Sequence, residues 1–360
     1  MKKNKIALLL IGTMTASMLF AGCGKKKDDK STEATPPSVS IDQVATMSDA
    51  GDIPLAYKEG YVISELTGEW IDESLENQRP ICMMINNIID AMPQSGISKA
   101  DLTFEILVEG GVTRYLCVFK DYASLEKVGP VRSARHYYVR MNDFIDGIYA
   151  HYGWSDYARQ LIEQEGTNNI NGLYDDKAYY RDNSRYAPHN VYTDGARLKD
   201  AVERNGYRTT YKDGLGHMFE FNLEDTPLAN NQTANKIMTA YNGSPSRWFE
   251  YNEEDQRYYR FQYNEKQMDV ETQEQLSYKN VIVMFANYEP IDGYLLHLDW
   301  YSGGTGYYFT DGEYKEIKWE NVNEEQVRFF DQDGKLLKMN PGNTFITVFE
   351  ADKPQNITIE

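Results

Sequence analysis

The stretch DLTFEILVEGGVTRYLCVFKD, residues 101–121, constrains the fold more than any other. Apolar and polar side chains alternate on both sides of Gly110-Gly111, and period-two alternation around a Gly-Gly pair specifies two antiparallel strands joined by a tight turn. With a two-residue turn, Glu109 faces Val112, Leu107 faces Arg114 and Glu105 faces Leu116. Directly opposed residues share a sheet face, and so do residues two apart on one strand. Glu105, Glu109 and Arg114 then lie together on a mixed face, while Phe104, Ile106, Val108, Tyr115, Cys117 and Phe119 form the apolar core side. The charged cluster reads either as a cross-strand Arg–Glu pair on a solvated face or as part of a ligand site.

A lone hairpin is marginal in water, so neighbouring segments must cover it. RPICMMINN, residues 79–87, is a short apolar run that suits a strand buried on both faces. FIDGIYAHYGWSDYARQLIEQE predicts a strand over 147–151, a glycine turn, and a helix capped by Ser155. Asp194 or Thr193 caps another helix that runs to about Asn205. After Trp248 the chain changes character: RYYRFQYN, KNVIVMFANY, GYLLHLDWY, TGYYFTDGEYKEIKWE and NTFITVFE are short alternating runs with turn signals between them. The expected class is α+β. An N-terminal mixed α/β domain with a central sheet and flanking helices spans 61–223, a polar linker 224–244, and a smaller, mostly β domain, barrel or sandwich, 245–360.

Formal charge −18 argues against nucleic acid, whose phosphates demand clustered Lys and Arg. Against that background KVGPVRSARHYYVR, residues 127–140, stands out: Lys127, Arg132, Arg135 and Arg140 with no acid among them. Apolar spacing after Pro130 predicts a helix from about Pro130 to Ile145, with proline in its first turn. Cations there oppose the helix dipole, so they do not serve helix stability. An anion at that end would meet free backbone N–H groups, Ser133 and two guanidiniums. The anion is either a ligand or the chain's own Glu105 or Glu109. His151 ends its strand, where α/β sheets present functional side chains, although a lone histidine is as well read as one bonded to a loop carbonyl. Arg181, Arg185, His189 and Asn190 share a downstream loop.

Other chemistry finds no motif. The five His are dispersed and no CxxC or HExxH spacing occurs, so no metal is expected. DQDG at 331–334 lacks the remaining ligands of a calcium loop and reads as a turn, and GGTG at 303–306 lacks the Lys-Ser/Thr of a P-loop. No cofactor is expected. Glu105 and Glu109 lie about 13 Å apart along a strand, too far for an easy acid/base pair.

The N-terminus is not part of the fold. Lys2, Lys3 and Lys5 precede the uncharged run IALLLIGTMTASMLFAG, which ends at Cys23. A basic start, a short apolar core and small residues before the cut describe a signal peptide over 1–22. Ala21-Gly22-Cys23 resembles a bacterial lipobox, with Phe20 where the consensus prefers Leu. That resemblance implies that Cys23 is lipidated and anchors the chain to the outer face of the cytoplasmic membrane, with 23–60 as a polar tether. Cys82 and Cys117 remain, either as a disulfide or as two buried thiols.

PQSGISKAD, EILVEGGVTRYLCVF, KVGPVRSAR, the HYG turn and APHNVYT occur here in the order found in a two-domain bacterial lipoprotein family of unknown function, the YerB-like family. SYKNVIVMF, GTGYYFTDG and DQDGKLLKMNPGNTFITVF resemble its second domain, so the similarity runs from Gln78 to Val348. Cys82 and Cys117 stand where apolar residues are expected, and Phe345 where Trp is expected. The resemblance supplies no reaction. It places emphasis on the polar residues of its matching segments: Glu105, Glu109, Arg114, Arg132, Ser133, Arg135, His151, His189 and Asn190, with Arg185 just upstream. These suggest a ligand-binding groove on an accessory protein of the cell envelope, with peptidoglycan, an anionic wall polymer or an envelope protein as partner. The alternative is a wall-acting hydrolase or lyase using Glu105 or Glu109 with His151 or His189.

Overall fold

The computed structural model describes residues 58–229, 232–241 and 246–360. The signal peptide, Cys23 and nearly all of the expected tether lie outside them. Hydrophobic periodicity becomes one extended sheet. Its strands in chain order are β1 (Ile81–Asn86), β2 (Leu102–Leu107), β3 (Thr113–Phe119), β4 (Ile148–His151) and β5 (Asn169–Asn171) from the first half. From the second half come β6 (Asn280–Ala286), β7 (Gly304–Thr310), β8 (Glu313–Val322) and β9 (Thr344–Glu350), and two further strands, Gln232–Thr233 and Gln326–Phe330, each pair with β8. The spatial order is β8-β7-β6-β9-β2-β3-β1-β4-β5. The halves join where β9 pairs in parallel with β2, Thr344 opposite Leu102 through Val348 opposite Ile106.

The central strands β1, β2, β3 and β6 are buried along their whole length, which requires cover on both faces. On one face, α1 (His136–Ile145) and α2 (Asp156–Glu165) pack against Cys82, Phe104, Ile106 and Leu116. On the other face α3 (Gly195–Arg204) covers the first half. A six-stranded sheet that includes Arg247–Asn252 and Arg257–Gln262 covers much of the rest of that face. There Phe249 and Tyr278 meet Phe345 edge to face at 5.1 and 5.0 Å. The architecture is the expected α+β, and the second half is a sandwich of two sheets rather than a barrel. Ser155 caps α2 by accepting from Ala158 N, and Asp194 caps α3 by accepting from Arg197 N.

Two local expectations fail, each for a physical reason. The hairpin loop holds three residues, Glu109 to Gly111, because Val108 N donates to Val112 O. Both glycines take left-handed φ, +71° and +72°. Leu107 therefore faces Thr113, Ile106 faces Arg114 and Glu105 faces Tyr115. One added loop residue exchanges the faces of one strand relative to the other. Glu105 and Arg114 lie on opposite sides of the sheet. The helix expected from Pro130 begins only at His136. Residues 130–134 run extended, with Pro130 O accepting from Asn86 N, Arg132 N donating to Met84 O, and Ala134 N donating to Gly153 O. With Val131 N also donating to Val191 O, sheet-type bonds to three segments outcompete a first helical turn. The cysteines do not pair: Met83 opposes Cys117 and Cys82 opposes Val118, so the two thiols sit in cores on opposite faces.

Candidate functional site

Strands β1, β2, β4, β5 and β9 run in one direction. Their carboxyl ends, Asn86, Leu107, His151, Asn171 and Glu350, therefore share one edge of the sheet. Crevices at such an edge are where open α/β sheets hold ligands. The extended segment 130–134 wedges between the end of β1 and the turn after β4, with Tyr152 N bonded to Arg132 O. Gly153 permits the close approach: its φ is +81°, and a Cβ there would stand 3.3 Å from Ser133 Oγ.

Three guanidiniums collect along this edge. Arg114, at the start of β3 and nearly buried, donates from Nη1 to Ser133 O at 2.6 Å. Arg135, the cap residue of α1, forks onto Glu109, with Nε to Oε1 at 2.5 Å and Nη2 to Oε2 at 2.7 Å. Arg132 reaches only Pro188 O, at 3.4 Å, and its buried Nε has no hydrogen-bond partner among the described residues. The guanidiniums feel one another. Burial, then the charges of Arg135 and Arg132, bring Arg114 down to about 10 against the pull of Glu109. Burial and then Arg135 lower Arg132. Burial raises Glu109, but Arg135 and Arg114 outweigh it, and the carboxyl sits below its ordinary range. Arg135 and Arg114 thus share one carboxylate, while Arg132 has none among the described residues. His189 borders the cluster, its Nδ1 accepting from Asn86 Nδ2 at 2.7 Å, with its proton affinity lowered by burial and then by Arg132.

The remaining expected site residues take other places. Glu105 is wholly buried on the far face. Its Oε1 accepts from Asn87 Nδ2 at 3.0 Å and Thr113 Oγ1 at 2.7 Å, and its Oε2 from Arg260 Nη2 at 2.8 Å. Arg247 Nε lies 3.5 Å away. His151 is also fully buried, its Nδ1 donating to Gly153 O at 2.8 Å and its ring lowered to about 4 by burial against the pull of that bond and Asn169. It fixes the turn beneath Ser133. Arg185 donates to the carbonyls of Ala91 and Pro93 at 3.0 and 2.6 Å, and Asn190 accepts from Arg181 at 2.7 Å. Both hold the 181–190 loop over the edge. The structure thus brings together Glu109, Arg114, Arg132, Ser133, Arg135 and His189, and leaves Glu105, His151, Arg185 and Asn190 as supports.

Sequence reasoning missed Arg247 and Arg260. The signal for Arg260 lay in RYYRFQYN, where Tyr258, Arg260 and Gln262 are the buried phase of the alternation, and that for Arg247 in RWFEYN, where it shares the buried phase with Phe249. An arginine in that phase needs a buried carboxylate. Asn86, which orients His189, was also missed.

Chemically, the cluster suits an anion better than proton transfer. Glu109 is held ionised by a fork of two hydrogen bonds, which suits neither an acid nor a free base. Among the described residues no group of three metal-ligating side chains occurs.

Comparisons with known proteins agree with this organisation. Residues 66–208 match the N-terminal domain, and 237–346 the C-terminal domain, of a family described as protein of unknown function (DUF3048). The chain is 32% identical over 286 residues to YerB of Bacillus subtilis (strain 168), a lipoprotein by name, covering 79% of this chain and 85% of that one. The crystal structure of YerB from Bacillus subtilis superposes with a TM-score of 0.73 at 30% identity, covering 83% of this chain and 99% of that chain. The chain belongs to the YerB-like, two-domain DUF3048 family, whose function is unknown.

Proposed function

We propose that this protein is a lipid-anchored envelope protein, held at the outer face of the cytoplasmic membrane through Cys23, that binds an anionic group at the Arg114–Arg132–Arg135 cluster. The anchor rests on the basic, apolar, small-residue leader before Cys23 and on the lipoprotein name of its relative. The binding role rests on one observation above the others: Arg132 has no carboxylate partner among the described residues, although it feels the charge of Arg135 and acts on Arg114. Charges of one sign are gathered at a sheet edge only at a cost, and an incoming carboxylate or phosphate would relieve it. A peptide carboxylate and a polymer phosphate present the same chemistry to such a fork.

The test is thermal unfolding and calorimetric titration of the full-length chain with inorganic phosphate, acetate, and soluble fragments of peptidoglycan and wall polymer. Saturable binding that weakens with added salt and is lost in Arg132→Ala supports the reading. Equal responses of wild type and Arg132→Ala to every anion would sink it. No observation favours the hydrolase reading over this one.

A further inference from the structure

A concavity lies on α1 next to the arginine cluster, beginning at His136 just after Arg135, where the two family domains meet. It is a cleft of ≈ 300 Å³ between α1, α2 and residues 297–301, at the lower end of the size range of small-molecule sites. Tyr157, Gln160, Leu161 and Gln164 recur at helical spacing, so one face of α2 forms a wall. His297, Leu298, Trp300 and Tyr301 of the second half line it from the other chain segment. Leu298 and Trp300 are buried, whereas Tyr301 is 44% exposed.

The charges of this cleft are already spent. Arg140 is paired with Glu165 Oε1 at 3.0 Å, and the Tyr157 hydroxyl donates to Asp292. His136 Nε2 and His297 Nδ1 stand 3.0 Å apart with nearly parallel rings, a single N–H···N bond linking the two halves. Burial, then His297 and Arg135, lower His136 to about 4, so the His136 ring is neutral near pH 7. The other ring nitrogens, His136 Nδ1 and His297 Nε2, lie outside that bond. Gln160 and Gln164 add amides that both donate and accept.

We propose that this cleft is a binding site for a neutral saccharide unit of one or two rings. A sugar presents apolar C–H faces, which aromatic rings cover, and hydroxyls, which both donate and accept. Exposed tyrosine, paired amides and the two linked imidazole rings match those two demands together. An anion would find no unpaired cation here, a metal only two imidazoles, and a purely apolar ligand would leave two glutamines desolvated.

The proposal is tested on the full-length chain by saturation-transfer NMR and calorimetry with glucose, maltose, N-acetylglucosamine and its β-1,4-linked dimer. At least one sugar should bind saturably with Kd of about 1 mM or tighter, and Tyr301→Ala and Gln164→Ala should each weaken it about fivefold or more. Both side chains are exposed, so the variants should fold, which their tryptophan fluorescence checks. No saturable binding by wild type up to about 20 mM, or binding that both variants leave unchanged, would overturn the site. The response to inorganic phosphate is read separately and reports the arginine cluster, so either site can fail alone.

Discussion

Two arginine–glutamate clusters occupy opposite faces of the same hairpin. Around Glu105, Arg247 and Arg260 are almost wholly buried, and Asn87 and Thr113 complete the coordination of the carboxylate. Arg260 also lies over Phe249 and Phe345, at 4.5 and 5.2 Å from the ring centroids. Around Glu109, at a solvent-facing edge, Arg135 and Arg114 share one carboxylate, and Arg132 is left with a single long contact. The composition is similar and the roles differ. Where the carboxylate accepts from every side and water is excluded, the cluster joins two halves of a fold. Where cations outnumber partners beside water, the cluster is prepared for something that arrives.

Breaking the buried cluster should have the largest effect. Glu105→Ala leaves two guanidiniums buried without a carboxylate and should cost about 3–5 kcal/mol in urea unfolding. Replacing all three together, Glu105→Leu with Arg247→Met and Arg260→Leu, should recover much of that loss, because an apolar core needs no pairing. A cost below about 1 kcal/mol for Glu105→Ala would erase the contrast between the two faces.

His151 sharpens the boundary between them, because it is buried like Glu105 but lies beneath the exposed edge. Its folded pKa of about 4 is below the ordinary 6.5, so folding favours the neutral ring. Stability from this group is complete above pH 6.5. It is lost as pH falls towards 4, where the unfolded chain takes up the proton first, by up to roughly 3 kcal/mol. Asp101, raised to about 7 mainly by burial, works in the opposite direction over an overlapping range. The difference between wild type and His151→Asn isolates the histidine. The stability gap should narrow from pH 6.5 to 4 and stay flat below. A gap independent of pH would mean that the ring is already charged or already solvated.

Glu109 is the chain's own occupant of the exposed cluster. Glu109→Gln should cost about 1 kcal/mol, given its partial exposure. The same change should tighten phosphate binding several-fold, since it removes a competing carboxylate. A catalytic or purely structural Glu109 does not predict tighter binding. Calorimetry on the variant decides between them.

The sequence made some of this legible and hid the rest for definite reasons. The fully apolar run Ile81–Ile85, the Ser155 and Asp194 caps and the Asp333-Gly334 turn are local signals, and each stands where local chemistry puts it. The exposed cluster was legible as an excess of arginine in an acidic chain. The hairpin register was not, because a loop of two or three residues reads identically as EGG and reverses which charges meet. The late start of α1 was hidden because its rivals, Met84, Asn86 and Gly153, are distant in sequence. Glu105 was misplaced for the same reason: its arginine partners lie more than a hundred residues downstream.

Arg132→Ala carries the smallest expected change in stability and the sharpest meaning. The side chain gives up one contact at 3.4 Å, and its removal relieves repulsion from Arg135. Gain and loss nearly cancel, so the unfolding free energy should move by less than about 0.5 kcal/mol. Phosphate affinity should fall about tenfold or more, since a charge-assisted donor is lost from the site. Added salt should shrink the difference between wild type and variant, because the donor is partly exposed. If Arg132→Ala instead unfolds several degrees early and binds phosphate as wild type does, the exposed cluster belongs with the buried one. The carboxyl edge would then be a second structural joint, and the ligand would have to be sought at the aromatic cleft between the halves.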